Sequence, residues 1–231
     1  MPIVGEVMKA SLIDRPNRFL GQVKLGDSIV EAFIPNPGRM HELMVPGKTV
    51  YLRYRPGKHR KTDFDMFCVQ HEGALVSIDS NLPNRFMKRL LEGRRLEMFI
   101  DYETVLPEPR MLGGRFDFKL VGQSGITFIE VKSCTLVKNG RAMFPDAPTV
   151  RGARHMRHLS ETLKKRLASR AAVVFVIQRP DAFVFSPNDD TDPDFGVALR
   201  EAHKQGVEVV PLLTEVKNWS LSLIGPIPFE A

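Results

Sequence analysis

Apolar and polar positions alternate along the first eighty or so residues in short runs broken by turn residues. Val4–Leu12, Arg18–Leu25, Ser28–Phe33, Lys48–Tyr54, Phe64–Gln70 and Ala74–Asp79 each carry the two-residue period of a strand. Gly26-Asp27, Pro35-Asn36-Pro37-Gly38, Pro46-Gly47, Pro56-Gly57 and Glu72-Gly73 punctuate them. Five or six strands in so short a stretch suit a small barrel of the OB type, a frequent binder of single-stranded nucleic acid. A purely structural β-domain fits the same pattern.

The period changes after residue 82. Asn84–Glu92 reads as a helix with Asn84 as N-cap, Leu90 and Leu91 on an apolar face, and Gly93 as a stop. Gly114–Val121 and Ile126–Ser133 read as strands around a Gly122–Gly125 turn. Arg151–Arg170 is free of turn residues and helical in period, and Ala171–Gln178 is the unbroken apolar run of a strand buried on both faces. A short edge piece at Phe183–Phe185 follows. Asp194–Lys204 reads as a helix that begins near Asp192 or Asp194 and stops at Gly206, and Val207–Leu213 reads as a further strand. The expected fold class is mixed α/β (α+β): an OB-like barrel over residues 1–82, then a mixed sheet flanked by helices over 83–231.

Composition adds partners and compartment. Hydrophobic content of 43% and charged content of 26% describe an ordinary globular chain, and a net charge of +6 favours an anionic partner. No apolar run is long enough to span a membrane, and the N-terminus MPIVGEVMKASLID has no signal-peptide layout, so a cytoplasmic protein is expected. Cys68 and Cys134 have no nearby ligand partners, which excludes a cysteine zinc site and suits a reduced compartment. Oligomeric state stays open, with a homodimer as one candidate.

The chemistry concentrates in GRFDFKLVGQSGITFIEVKSC, Gly114–Cys134. Strand alternation puts Phe116 and Phe118 on one face and Asp117 on the other. It puts Phe128, Glu130 and Lys132 on one side of the next strand and Thr127, Ile129 and Val131 on the opposite side. A hairpin centred between Gln123 and Ser124 sets Asp117 opposite Glu130, with Cβ atoms about 4.5–5.5 Å apart. Two carboxylates so placed repel one another unless a cation lies between them, and oxygen ligation suits Mg2+ or Mn2+. Lys132, one pleat away, can orient a water or stabilise a phosphate oxygen. A surface hairpin of solvated charges is the bland alternative. The strongly apolar FDF and IEV settings argue against it.

These segments resemble a known family. GRFDFKL, IEVKSCTL and NGRAMFPDAPTVRGARHMRHL, with PNPGRM at Pro35–Met40 and NRF at Asn84–Phe86, are similar to the sugar fermentation stimulation protein A family. The resemblance implies an N-terminal OB fold and a C-terminal PD-(D/E)xK nuclease-like domain. It also implies DNA binding and an association with regulation of sugar-utilisation genes. On the nuclease motif, Asp117 takes the first acidic position, Glu130 the second and Lys132 the lysine. Glu103 is the candidate for an upstream acidic residue, with Glu108 as its rival.

Other polar groups gather around this centre. Arg151, Arg154, His155, Arg157 and His158 crowd the start of the long helix, with Arg151, His155 and His158 on one face. Cations at a helix start oppose its macrodipole, which invites an anionic partner such as phosphate, although a solvated basic face is the usual reading. Lys164, Lys165, Arg166 and Arg170 suit the end of the same helix. In the barrel, Arg15, Asn17, Arg18 and Phe19 form a basic, aromatic-bearing loop, and Tyr51–Lys61 forms a second such stretch. Arg39 and Asn36 join the nucleic-acid candidates, although Asn36 and Gly38 also suit a turn, and Asp146 suits either a turn or support of the site.

The leading reading is a DNA-binding protein, with single-stranded nucleic acid as a further partner, that carries a divalent-metal nuclease site. Asp117, Glu130 and the Val131 carbonyl hold Mg2+ or Mn2+, and Lys132 positions water. A non-catalytic, largely non-specific DNA-binding transcriptional regulator is the alternative. Metal-dependent chemistry on a small phosphorylated molecule is the third.

Overall fold

The computed structural model describes Met1 and residues 6–231. The expected first strand begins at Val4, and its opening residues lie outside the described ones. Strand β1 runs Val7–Asn17, followed by β2 (Leu20–Leu25), β3 (Ser28–Phe33), β4 (Thr49–Tyr54), β5 (Phe64–His71) and β6 (Ala74–Ser77). β1 pairs antiparallel with both β2 and β4, and β4 with β5. A short parallel contact of β3 with β5, Ala32 to Phe64, closes a five-stranded barrel, and β6 extends it from β5. Register shifts after Leu12 and Asp14 bend β1 so that one strand serves both neighbours. Inward residues, among them Leu12, Val23, Ala32, Ile34, Leu52 and Met66, fill the barrel.

Helix α1 (Leu82–Glu92) starts two residues earlier than expected. Pro83 sits in its first turn, and a proline favours that position because its missing N–H has no partner there, so the N-cap falls on Asn81. Asn84 is therefore inside the helix, where its side chain is released from capping.

The remainder forms one mixed sheet. In chain order come β7 (Thr104–Pro107), β8 (Arg110–Met111), β9 (Gly114–Arg115), β10 (Phe118–Gly122), β11 (Gly125–Cys134), β12 (Leu136–Lys138), β13 (Arg141–Phe144), α2 (Val150–Lys164), β14 (Arg170–Ile177), β15 (Val184–Pro187), α3 (Pro193–Lys204), β16 (Glu208–Lys217) and β17 (Ser220–Pro226). The main sheet has the order β17-β16-β14-β11-β10-β7, with β11, β14 and β16 parallel. Side chains of one face pack on α1, and those of the other pack on α2 and α3.

Three expectations are corrected. The strand expected over Gly114–Val121 is interrupted at Phe116-Asp117, and Gly114–Arg115 pairs with Arg110–Met111 instead. Phe116 and Phe118 consequently face opposite sides: Phe116 packs on Phe128, and Phe118 joins the cluster of Ile129 and Val131. The long helix ends at Lys164, because Arg166 turns left-handed at φ 55°. Arg170 opens β14, where it forms paired hydrogen bonds to Glu208. β7, β8, β12, β13 and β17 have no counterpart in the sequence reading.

Barrel and sheet share one core. Phe67 and Cys68 of β5 pack in the same cluster as Phe86 and Leu90 of α1 and Val174 of β14. The Tyr51 ring meets Trp219 edge-on at 4.8 Å. Two polar ties reinforce the junction: Asp146 accepts from Met40 N at 3.1 Å, and buried Arg179 reaches Glu42 at 3.6 Å. A methyl group on Gly38 would lie 2.5 Å from Asp146 Oδ2. Gly38→Ala is expected to cost about 1–3 kcal/mol through overpacking of this junction. Urea unfolding measures it, and an unchanged midpoint would contradict the fit described.

Candidate functional site

The site forms where β10 leaves β11. Pairing between them runs from Gly122–Gly125 to Phe118–Ile129 and then stops. At the bend that follows, Asp117 N still donates to Ile129 O at 3.2 Å, but its side chain takes over the next ladder position. Val131 N donates to Asp117 Oδ2 at 2.7 Å, and Asn84 Nδ2, from α1, donates to Oδ1 at 2.6 Å. The carboxylate thus completes the edge of β11 in place of a backbone carbonyl.

Glu130 lies on the α2 side and is 3% exposed. Lys132, two residues on and so on the same face, places Nζ 2.6 Å from Glu130 Oε1. His155 Nδ1 donates to the same oxygen, and Arg151 Nε donates to His155 Nε2 at 3.2 Å. With Nε2 accepting, the imidazole proton sits on Nδ1, facing Glu130. Glu130 Oε2 is buried and has no hydrogen-bond partner among the described residues.

Burial, then the charge of Glu130, pushes the Asp117 carboxyl up to about 6, against the opposing hydrogen bond from Val131 and charge of Lys132. Burial would raise Glu130 too, but the His155 hydrogen bond and the Lys132 charge outweigh it and hold its carboxyl below the usual value. The two acids are thereby separated: Glu130 is the anion and Asp117 retains its proton more readily. Two adjacent carboxylates, one with an unsatisfied buried oxygen, offer hard oxygen donors that could hold a divalent cation. Among the described residues, no group of three or more His, Cys, Asp and Glu side chains is arranged for a metal, so further ligands would have to come from backbone or water.

The other predicted residues separate into two groups. Glu103 is exposed and lies outside the cluster: its N–H bonds Val121 O at the far end of β10, about 13 Å along the strand from Asp117. Glu108 N reaches Asp117 O at 2.9 Å, but its carboxylate turns outward to Arg115. Arg15 is occupied structurally, with its guanidinium donating to the carbonyls of Arg18, Asn36, Gly38 and Arg39. Asn36 is buried and caps Gly38 N through Oδ1. His158 sits against Gly114, and burial lowers its pKa, which disfavours the imidazolium needed for a phosphate contact. Arg18, Phe19, Arg39, Arg151 and Arg154 are exposed. Arg18 lines one cleft together with Lys132, Ser80 and Thr149, which joins the barrel loop to the carboxylate cluster. Asn84 was missed as a site residue because its spacing read as a cap. Pro83 was the signal that moved the cap upstream.

The class the fold defines is an OB-type barrel fused to a mixed α/β sheet, with an acid-acid-lysine cluster at the strand junction. The chain belongs to the sugar fermentation stimulation protein family. That family's RE-domain model matches residues 81–220 and its N-terminal OB-domain model residues 13–78. The homolog from Desulforamulus reducens is 41% identical over 228 residues, covering 99% of this chain and 94% of the relative. The homolog from Clostridium kluyveri is 43% identical over 205 residues, 88% of each. A solved structure of Pyrococcus furiosus SfsA in complex with Ca2+ superposes with a TM-score of 0.89 at 29% identity, over all of both chains.

The folded protein holds the Asp117 proton more tightly than the unfolded chain does. The resulting stability is complete below the usual value of 3.8 and is lost as pH rises through about 6. Metal-free wild type is therefore expected to lose up to about 3 kcal/mol, relative to Asp117→Asn, between pH 4 and 7. Urea unfolding in chelator at stepped pH measures the difference, and a pH-independent difference would refute the assignment.

Proposed function

We propose that the chain is a divalent-metal-dependent phosphodiesterase acting on nucleic acid, with residues 1–82 as the binding barrel and 83–231 as the nuclease-like domain. The observation that carries this reading is the buried Glu130 Oε2, without a partner among the described residues, beside Asp117. Asp117, Glu130 and the Val131 carbonyl would hold Mg2+ or Mn2+. Bound there, the ion supplies charge that offsets both carboxylates and Lewis acidity toward a phosphoryl oxygen. The complex of the Pyrococcus furiosus relative with Ca2+ supports a divalent ion in this fold.

The protein's own groups do the rest. Lys132 spends one N–H on Glu130, leaving two for the attacking water and a phosphate oxygen. His155 fixes the Glu130 carboxylate through Oε1, which leaves Oε2 free to bind the ion. Asn84 and Val131 N hold Asp117 in the sheet plane. Arg18, Arg39, Arg151 and Arg154 supply exposed cations for DNA phosphates. No helix among the described residues is long and apolar enough to cross a membrane. The two buried thiols, Cys68 and Cys134, suit a reducing cytoplasm.

The second reading is a DNA-binding regulator without turnover, through which the family's link to sugar use would act. One observation favours it: Lys132 and His155 already satisfy Glu130 Oε1. Purified protein incubated with Mn2+ and single- or double-stranded DNA and RNA separates the two. Cleavage is expected, with Lys132→Ala slowed about 10²–10⁴-fold. Equal cleavage by that variant would mean the activity lies elsewhere, and salt-sensitive binding without cleavage would favour the regulator.

A further inference from the structure

A groove separates the barrel wall from the start of α1, and no residue of the carboxylate cluster lines it. Its lining includes Arg53, Arg55, Arg60 and Arg85, with Phe33 at one end. Asp65 is 3% exposed and gathers three of these guanidiniums, Arg53 at 3.3 Å, Arg55 at 3.5 Å and Arg60. Arg85 pairs with Asp79 at 2.7 Å. Four cations thus face two carboxylates, and the groove keeps a positive surplus on a framework that holds the arginines in place. Ser77, fully buried and lining the groove, has an Oγ with no partner among the described residues, and the Arg53 Nε is likewise unpaired. Both atoms are withdrawn from solvent, so they mark unsatisfied polarity in the groove wall rather than a surface contact.

The groove continues in both directions. Phe33 and Arg60 also line a second depression, with Phe19, Lys61 and Thr62. There the Phe19 and Phe33 rings lie within 16° of parallel, 6.3 Å apart, both partly exposed, with the Arg60 guanidinium over Phe33. At the other end Asn81, the N-cap of α1, and Arg85 within it form the wall, and Asn84 on the same helix holds Asp117. Ser80, adjacent to Asn81, lines the cleft that contains Lys132.

We propose that this groove is a track for single-stranded nucleic acid, carrying a strand from the Phe19–Phe33 platform, past the arginines, to the carboxylate cluster. It rests on the nuclease reading and deepens it by naming the substrate class: nucleic acid with an unpaired segment. Aromatic faces next to fixed cations recognise stacked-out bases and their phosphates together. A duplex keeps its base faces inside the helix and cannot use the platform.

The test is fluorescence anisotropy with a labelled oligothymidylate and a blunt duplex of equal length, in chelator so that no cleavage occurs. Wild type is expected to bind the oligothymidylate more tightly. Phe19→Ala should weaken that binding about 5-fold or more. Arg55→Gln with Arg85→Gln should lower the salt slope by about 1.4, two contacts at roughly 0.7 each. Both arginine heads are well exposed, so the fold should be retained. Photo-crosslinking of a thiothymidine oligomer to wild type gives a readout that needs no variant, with crosslinks expected at Phe19, Phe33 or residues 55–61. Equal binding of the duplex, changes within about two-fold in both variants, or crosslinks confined elsewhere would overturn the track. Wild type that binds through the track yet never cleaves with Mn2+ would support the track and overturn the nuclease reading alone.

Discussion

Glu130 is a carboxylate almost fully withdrawn from water, and an unpaired charge in that position costs several kcal/mol. Lys132 and His155 offset that cost on one oxygen, and both must be delivered to it by the fold. Lys132 arrives by strand alternation. His155 arrives only if α2 starts at the right place, and a small polar relay sets that start. Thr149 caps α2 through Gly152 N, its own N–H bonds Asp192 Oδ2 at 2.6 Å, and the other oxygen of Asp192 caps α3 through Phe195 N. One side chain thereby registers both helices against the sheet face that carries Glu130. The second oxygen of Glu130 is left over, and Asp117, held at the frayed edge of β11, stands beside it.

The barrel is tied to this centre by more than a linker. α1 packs against barrel and sheet together, contributing Asn84 to the cluster and Arg85 to the barrel groove. Arg15 orders the Asn36–Arg39 loop from below, and Asp146, from the segment that leads into α2, grips the same loop at Met40. A strand bound on the proposed track would therefore meet the carboxylates at a fixed offset. Such preorganisation is what positioning a phosphodiester requires.

Much of the scaffold was legible from periodicity. Ser28–Phe33 matches its strand at both ends, and the hairpin centred on Gln123-Ser124 has the register that the turn implied. The inaccurate places are those where a tertiary partner overrides the local pattern. Alternation put Phe116 and Phe118 together, but the ladder breaks at Asp117 because its side chain, not its backbone, pairs with Val131. Asn84 looked like a cap until Asp117 claimed it. Arg15 looked like a free cation, yet four carbonyls consume it, three of them in the distant Asn36–Arg39 loop. Glu103 was the candidate for the upstream acidic residue that the resemblance implies, and the antiparallel run of β7 against β10 carries it away from Asp117. Local spacing reports which side chains share a face and cannot report which loop will later reach them.

The central claim is that Asp117 and the free oxygen of Glu130 form a cation site. Anomalous diffraction from crystals soaked in Mn2+ tests it most directly. The account predicts one strong peak bonded at about 2.0–2.6 Å to an Asp117 oxygen and to Glu130 Oε2. Saturating Mn2+ that leaves both carboxylates in place with no peak between them would contradict it.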